Sequence, residues 1–312
     1  MGASSAPPIL GIVGPTASGK TDLALALARR LPVEILVADS RQVYRGMDIG
    51  TAKPDAAARQ AVPHHLLDLA DPDEPFTVAD WVERARPLVD AVATRGRLPM
   101  LVGGTGLYVG ALVDGHDYTT QGWDPELRAT LTRRWEVEGL EPLAAELGQR
   151  EPELAARTDL RNPRRVVRAL ERSLAGGEGA SPRSAPHPGR VVLIGLQRSR
   201  DELYRRIDER ARRLFAGGLL EEVAALLERG YGPELRPMTG HGYQEAARHL
   251  AGEWTLEEAI EVTARRTRQY AKRQLTWFRR DGRIMWLDAT GREADDDALV
   301  ERAERVIRAA LT

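Results

Sequence analysis

The sequence predicts an α/β protein in which a parallel β-sheet core carries helices on both faces, is interrupted by an inserted all-helical lobe and ends in a helical C-terminal region. Three observations carry this. Short apolar, β-rich runs alternate with helical patterns as far as Val113, as strands of a parallel sheet do when helices connect them. From about Asp114 to Gly189 the pattern is helical only. One more β-rich run then returns at Val191–Leu196 before helices fill the rest. The predicted division is therefore a core of residues 1–114 and 190–312 with a lobe of 115–189 inserted.

Pro8–Val13 reads as the first strand, giving way through Gly14–Thr21 to an Ala/Leu-rich helix ending near Arg30. Val33–Ala38 reads as a second buried strand that stops at Asp39, and Leu98–Val102 as another, preceded by an amphipathic helix over about Val78–Thr94. In the inserted segment, Asp124-Pro125, Glu151-Pro152 and Asn162-Pro163 each place proline early in a helix, where its missing N–H costs nothing. The run from Gly176 to Gly189 is rich in Gly, Ala, Ser and Pro and reads as an exposed mobile loop. Helices follow at about 201–216, 218–229, 242–250 and 255–280, then a strand-like Arg283–Leu287 and a terminal helix.

Composition narrows the function class. With 42% apolar and 29% charged residues over 312 positions the chain has material for an ordinary folded core. No run approaches the roughly 20 apolar residues of a membrane-spanning helix, and the start lacks the pattern of a secretory signal. Zero cysteines remove disulfides, thiolate metal sites and a cysteine nucleophile. A cytoplasmic enzyme or binding protein is the default expectation. Only three of the 45 basic residues are lysine, Lys20, Lys53 and Lys272.

Gly14-Pro15-Thr16-Ala17-Ser18-Gly19-Lys20-Thr21 fits G-x-x-x-x-G-K-[ST] with the strand before and helix after that the motif requires. Backbone N–H groups and the helix N-terminus face a phosphate there while Lys20 adds a full charge; Thr21 supplies a hydroxyl for Mg²⁺. The core is thus P-loop NTPase-like. No carboxylate ends the strand that runs into Gly103-Gly104-Thr105, where an ATPase typically holds Mg²⁺. The acid instead ends the second strand, at Asp39, with a metal-binding, helix-capping or catalytic role open to it.

The cradle followed by Ala38-Asp39-Ser40-Arg41-Gln42-Val43-Tyr44 through Gly50-Thr51-Ala52-Lys53-Pro54 resembles the tRNA dimethylallyltransferases, also called tRNA isopentenyltransferases. The likeness continues through Pro63-His64-His65-Leu66-Leu67-Asp68, Leu101–Tyr108 and Lys272–Arg279, spanning residue 9 to about 287; Gly106 and Gln244 depart from the usual pattern. The resemblance implies transfer of a dimethylallyl group from dimethylallyl diphosphate to the N6 amine of adenosine 37 beside the tRNA anticodon, with Mg²⁺, by a monomer. It implies Asp39 as general base and Thr105 as an orienting hydroxyl, with Gly14 to Thr21 and Arg206 on the diphosphate. It also implies tRNA contacts from Asp39, Ser40, Arg41 and Gln42, from Arg128, Arg164, Arg165, Val166, Val167 and Arg168, from His241, Gly242 and Tyr243, and from Lys272, Arg273, Gln274, Trp277 and Arg279. A small-molecule or nucleoside kinase is the alternative, since the same cradle and an inserted helical lid serve phosphoryl transfer.

Charge distribution points to RNA independently. Residues 262–283 carry eight basic groups against one acid, Asp281. At helical spacing Arg265, Arg268, Lys272 and Arg279 form one stripe beside Arg266, Arg273 and Arg280, with Ala264, Ala271, Leu275 and Phe278 toward the core. A second basic patch from Arg157 to Arg172 in the inserted lobe predicts a clamp on an anticodon stem-loop.

Overall fold

The computed structural model describes residues 6–115, 124–175 and 186–311. Those before 116 and after 185 pack as one compact unit, and 124–175 belong to a second. The Gly-rich stretch from Gly176 to Ala185 lies outside the described residues.

The first unit is built on a six-stranded, wholly parallel sheet in the order β3-β2-β4-β1-β5-β6. In chain order the strands are β1 (Ile9–Val13), β2 (Val33–Val37), β3 (His64–His65), β4 (Leu98–Gly103), β5 (Val191–Gln197) and β6 (Ile284–Asp288). β1, β2 and β4 are almost entirely buried, which is why they read as apolar runs, broken only by Glu34 in β2, rather than alternating ones. β3, a two-residue edge strand, has no such run and was invisible to periodicity.

On one face, α1 (Lys20–Ala28) and α13 (Asp297–Leu311) bury Leu23, Leu27, Leu299, Val300 and Ile307 against Leu10, Ile12, Ile35, Met100 and Ile194 of the strands. α3 (Val78–Thr94) opens on a reciprocal capping box between Thr77 and Asp80. Its Trp81 stacks on Tyr108 of α4 (Gly106–Val113) at 4.8 Å and donates to the Val37 carbonyl at 3.2 Å. At the far end of the sheet the buried Glu34 is held by Arg95 (2.6 Å) and His65 (2.7 Å), and the Arg95 hydrogen bond drives its carboxyl down to about 2. His65 is thus a structural partner of Glu34.

Between β2 and α3 lies the short α2 (Ala56–Ala61), and after β5 come α9 (Arg200–Ala216), α10 (Leu219–Glu228), α11 (Tyr243–Leu250) and the long α12 (Leu256–Phe278). The second unit consists of α5 (Pro125–Glu138), α6 (Glu141–Arg150), α7 (Pro152–Arg157) and α8 (Pro163–Leu174). Its core gathers Leu131, Leu143, Leu147, Val166 and Leu170. α5, α7 and α8 begin at the Asp-Pro, Glu-Pro and Asn-Pro steps, with Asp124 and Asn162 side chains accepting from first-turn amides.

Strand order decides where a ligand goes. β1 lies between β4 and β5, so the turns leaving β1, β2 and β4 open on the carboxyl edge of the sheet, the crevice in which α/β sheets hold ligands. The ends of β2 and β4 touch there because Gly103 has no side chain: a Cβ would lie 2.1 Å from the Ala38 carbonyl oxygen. Gly103→Ala lowers unfolding free energy by about 1–3 kcal/mol, the usual cost of overpacking. Gly148→Ala in α6, where a Cβ meets nothing within 4 Å, moves the other way by about 0.5–1 kcal/mol. Urea denaturation of the two variants tests this, and equal midpoints contradict it.

Candidate functional site

The turn between β1 and α1 is braced from three sides. Gln274 of α12 accepts the Thr16 N–H (2.9 Å) and donates to the Gly104 carbonyl (2.9 Å), tying the turn to the end of β4. Arg198, its side chain wholly buried, donates to the Ser18 carbonyl (2.9 Å) and to Ala289 and Arg292 carbonyls, and pairs with Glu202. Lys20 Nζ donates to the Pro15 carbonyl at 2.6 Å. The N-cap of α1 is Gly19, with no side-chain cap, so the first-turn amides keep their positive ends available to an anion.

These groups open on a cleft of about 630 Å³ lined by Lys20, Thr21, Arg206, Arg210 and Arg213 on the cationic side and by Asp39 opposite. A second chamber of about 270 Å³ shares Thr16, Asp39, Thr51, Arg210, Leu214 and Tyr270 with it and continues past Ile207, His241 and Arg273. Burial lowers Lys20 to about 8, with Asp39 pulling the other way. Burial likewise lowers Arg210, again opposed by Asp39.

Asp39 Oδ1 accepts the Arg41 N–H (2.8 Å) and the Gln42 N–H (3.4 Å), a local turn rather than a helix cap; the next helix is capped by Asp55. Thr105 stands at the N-cap of α4 but its side chain makes no cap bond: its Oγ1 accepts the Ser40 N–H at 3.0 Å and meets the Tyr270 hydroxyl, joining the ends of β2 and β4 to α12. Burial pushes Tyr270 up to about 12 and His241, packed edge-on to it at 5.4 Å, down to about 4. Both are neutral near pH 7. Arg206 donates to the Ala17 carbonyl (3.3 Å) and pairs with Glu293 (3.1 Å), not with Glu209, which binds Arg205.

Several expected RNA contacts have other occupations. The Tyr243 side chain is 2% exposed and donates to Glu222, and Gln274 belongs to the turn. The Gln42 side chain donates to the Thr51 and Ala52 carbonyls, and Arg41 to those of Arg236 and Pro237. Val166 and Val167 are core residues of the second unit, so their side chains are not available to RNA. Arg128 and Arg168 converge on the buried Glu171, while Arg164 and Arg165 are exposed along a basic groove of about 460 Å³ with Arg157 and Arg172.

The basic face of α12 is smaller than its sequence count. Arg266 is paired with Glu245 and Arg268 with Asp208, acids on other helices that an i±4 rule within α12 does not see. Arg265, Lys272, Arg273, Arg279 and Arg280 are exposed, as is Trp277, which lies against Gly106.

Sequence reasoning missed Arg198, Tyr270 and Glu222. A usable signal existed for Tyr270: Thr263, Thr267, Tyr270 and Gln274 recur at helical spacing on the side of α12 that faces the cleft.

A parallel sheet with this cradle at its carboxyl edge and a cationic cleft that Asp22, Asp39 and Asp55 also line is the architecture of a P-loop-fold enzyme. The pattern described as IPP transferase matches residues 42–281, and that described as isopentenyl transferase matches 8–68. The chain is 45% identical over 305 residues to the tRNA dimethylallyltransferase of Heliobacterium modesticaldum, covering 96% of this chain and 95% of that one. It is 47% identical over 286 residues to that of Geobacter metallireducens, covering 90% and 92%. Among solved structures it is similar to the full-length tRNA isopentenylpyrophosphate transferase of Bacillus halodurans, with 41% identity, TM-score 0.74 and 97% and 96% coverage. A eukaryotic dimethylallyltransferase described as acting on tRNA superposes with TM-score 0.80 at 26% identity, covering 95% of this chain and 77% of that one. The chain belongs to the IPP transferase family.

With Lys20 at about 8 in the free cleft, an anion bound beside it raises it again and a proton is taken up. Above pH 8 that proton must be supplied from solution, so affinity falls as pH rises. Calorimetric titration with pyrophosphate at pH 8–9 in buffers of different ionisation enthalpy shows net proton uptake; uptake that persists in Lys20→Met assigns the proton elsewhere.

Proposed function

We propose that this protein transfers the dimethylallyl group of dimethylallyl diphosphate to the N6 amine of adenosine 37 in the tRNA anticodon loop, releasing pyrophosphate. The observation that carries the reading is the shared wall: Asp39 borders both the cationic cleft and the chamber beside it. A diphosphate in one and a nucleobase in the other meet at that carboxylate.

In the reaction the allylic C–O bond breaks and its electron pair leaves with the diphosphate. The open α1 amides and Lys20, joined by Arg206 and Arg210, stabilise the charge that develops, and they are in place before it does. The N6 lone pair forms the new C–N bond, and Asp39 takes the amine proton. Thr105, fixed between Ser40 and Tyr270, orients the amine. Exposed Thr21 offers a hydroxyl, a hard oxygen donor of the kind Mg²⁺ prefers. Among the described residues no group of three His, Asp or Glu side chains could hold a metal; Thr21 is the residue that would hold Mg²⁺, which would supply charge neutralisation on the leaving group. β4 ends in glycine, so no acid stands at that strand end to activate water, and transfer to an amine needs none.

In the first unit the exposed Lys272 and Arg273 of α12 and Arg279 just after it are the tRNA contacts; in the second unit, taken by itself, they are the exposed Arg164 and Arg165. The target base leaves its stack to reach Asp39.

Incubation with labelled dimethylallyl diphosphate, Mg²⁺ and unmodified tRNA puts label in RNA; a parallel ATP arm yields no ADP, whereas brisk ADP formation with unlabelled RNA would establish the kinase. Asp39→Ala loses ~10²–10⁴-fold in turnover, about 3–5 kcal/mol, while pyrophosphate still binds; near-normal turnover removes Asp39 from the chemistry. Lys272→Ala and Arg279→Ala each reduce the salt slope of tRNA binding by ~0.7–0.9 and leave diphosphate affinity unchanged; equal damage to both contradicts separate sites.

A further inference from the structure

Thr51 borders both chambers, and the loop that carries it is held from behind by a carboxylate the transfer chemistry does not use. Glu222, on α10, accepts the N–H groups of Asp48 (2.8 Å) and Ile49 (2.6 Å) at Oε2 and that of Gly50 (3.1 Å) at Oε1. Oε1 also accepts the Tyr243 hydroxyl at 2.6 Å, and that hydroxyl in turn meets the Thr51 N–H. Four consecutive amides therefore converge on one carboxylate–phenol pair, an anion nest filled by a side chain from another helix. The fit is close enough to exclude a side chain at Gly50, whose Cβ would lie 2.3 Å from the Tyr243 ring.

Beyond the nest the loop points at the reacting groups. The Thr51 and Ala52 carbonyls accept the Gln42 side-chain amide (3.1 and 3.2 Å), and the Gln42 backbone N–H reaches Asp39 Oδ1 at 3.4 Å. The body of the loop has a separate anchor in Lys53, whose buried ammonium donates to the Tyr44 carbonyl, Asp48 and Asp68. Loss of the nest thus loosens residues 48–51 without unmaking the loop.

We infer that Glu222 is a positioning residue for the transfer: by gathering the 48–50 amides it sets the Thr51 and Ala52 carbonyls that hold Gln42, and through Gln42 it sets the direction of the Asp39 carboxylate. This rests on Asp39 as the proton acceptor, the reading given above. Charge-assisted bonds to N–H groups are the strong ones, and an amide in place of the carboxylate turns an N–H toward donors.

Steady-state transfer by Glu222→Gln tests it, with pyrophosphate affinity and melting temperature measured alongside. The expected result is at least a ten-fold fall in kcat with KM for tRNA and Kd for pyrophosphate within two-fold. Tyr243→Phe, which keeps the ring and loses only the hydroxyl, falls about three-fold with the same split. In a Gln42→Ala background, where the link is already cut, Glu222→Gln costs less than two-fold more. An unchanged kcat, a pyrophosphate affinity that falls by the same factor as kcat, or a full ten-fold loss in the Gln42→Ala background overturns the inference. Wild-type protein that leaves tRNA unprenylated overturns the transfer reading and this inference with it. An active wild type with an unaffected Glu222→Gln overturns this inference alone.

Discussion

An uncapped helix N-terminus facing a lysine and three arginines is a charge distribution that an anion completes, and the first unit is arranged around it. The amides of α1 are left open by Gly19, Lys20 is desolvated, and Arg206, Arg210 and Arg213 on α9 close the cleft. Keeping like charges together costs free energy, which the fold offsets by bracing the turn with Gln274 and Arg198. Preorganisation of this kind is what a reaction that develops charge on a leaving group requires, since no reorganisation remains to be done at the transition state.

The same edge of the sheet explains where Asp39 stands. Because Gly103 lets β4 lie against Ala38, Asp39 stands beside the cradle although its strand is not adjacent to β1. A carboxylate on the wall shared by two chambers is within reach of both, which is the placement the proposed proton transfer needs. An acid at the end of β4 would suit water activation instead, and there the chain has glycine.

Much of this was legible in the sequence. The buried strands announced themselves as apolar runs, and the amphipathic pattern of α3 located both of its ends. The cradle was readable because its eight positions, its strand and its helix are contiguous. Side-chain direction was not readable. A family resemblance picks out Tyr243, Gln274, Val166 and Val167 without saying whether they face RNA or the interior, and the structure turns all four inward. The charge of α12 was overcounted for a related reason: Glu245 and Asp208 neutralise Arg266 and Arg268 from helices distant in sequence. Glu222 escaped notice because its partners are backbone amides, which no residue pattern displays.

The most direct test of the central claim is a structure of the protein with unmodified tRNA and the unreactive thiolo analogue of dimethylallyl diphosphate. The account requires the diphosphate on Lys20 and the turn amides, the five-carbon group directed at the wall shared by the two chambers, and the N6 amine of adenosine 37 within hydrogen-bond reach of Asp39. A diphosphate bound away from that turn, or an adenine amine facing some other base, would contradict it.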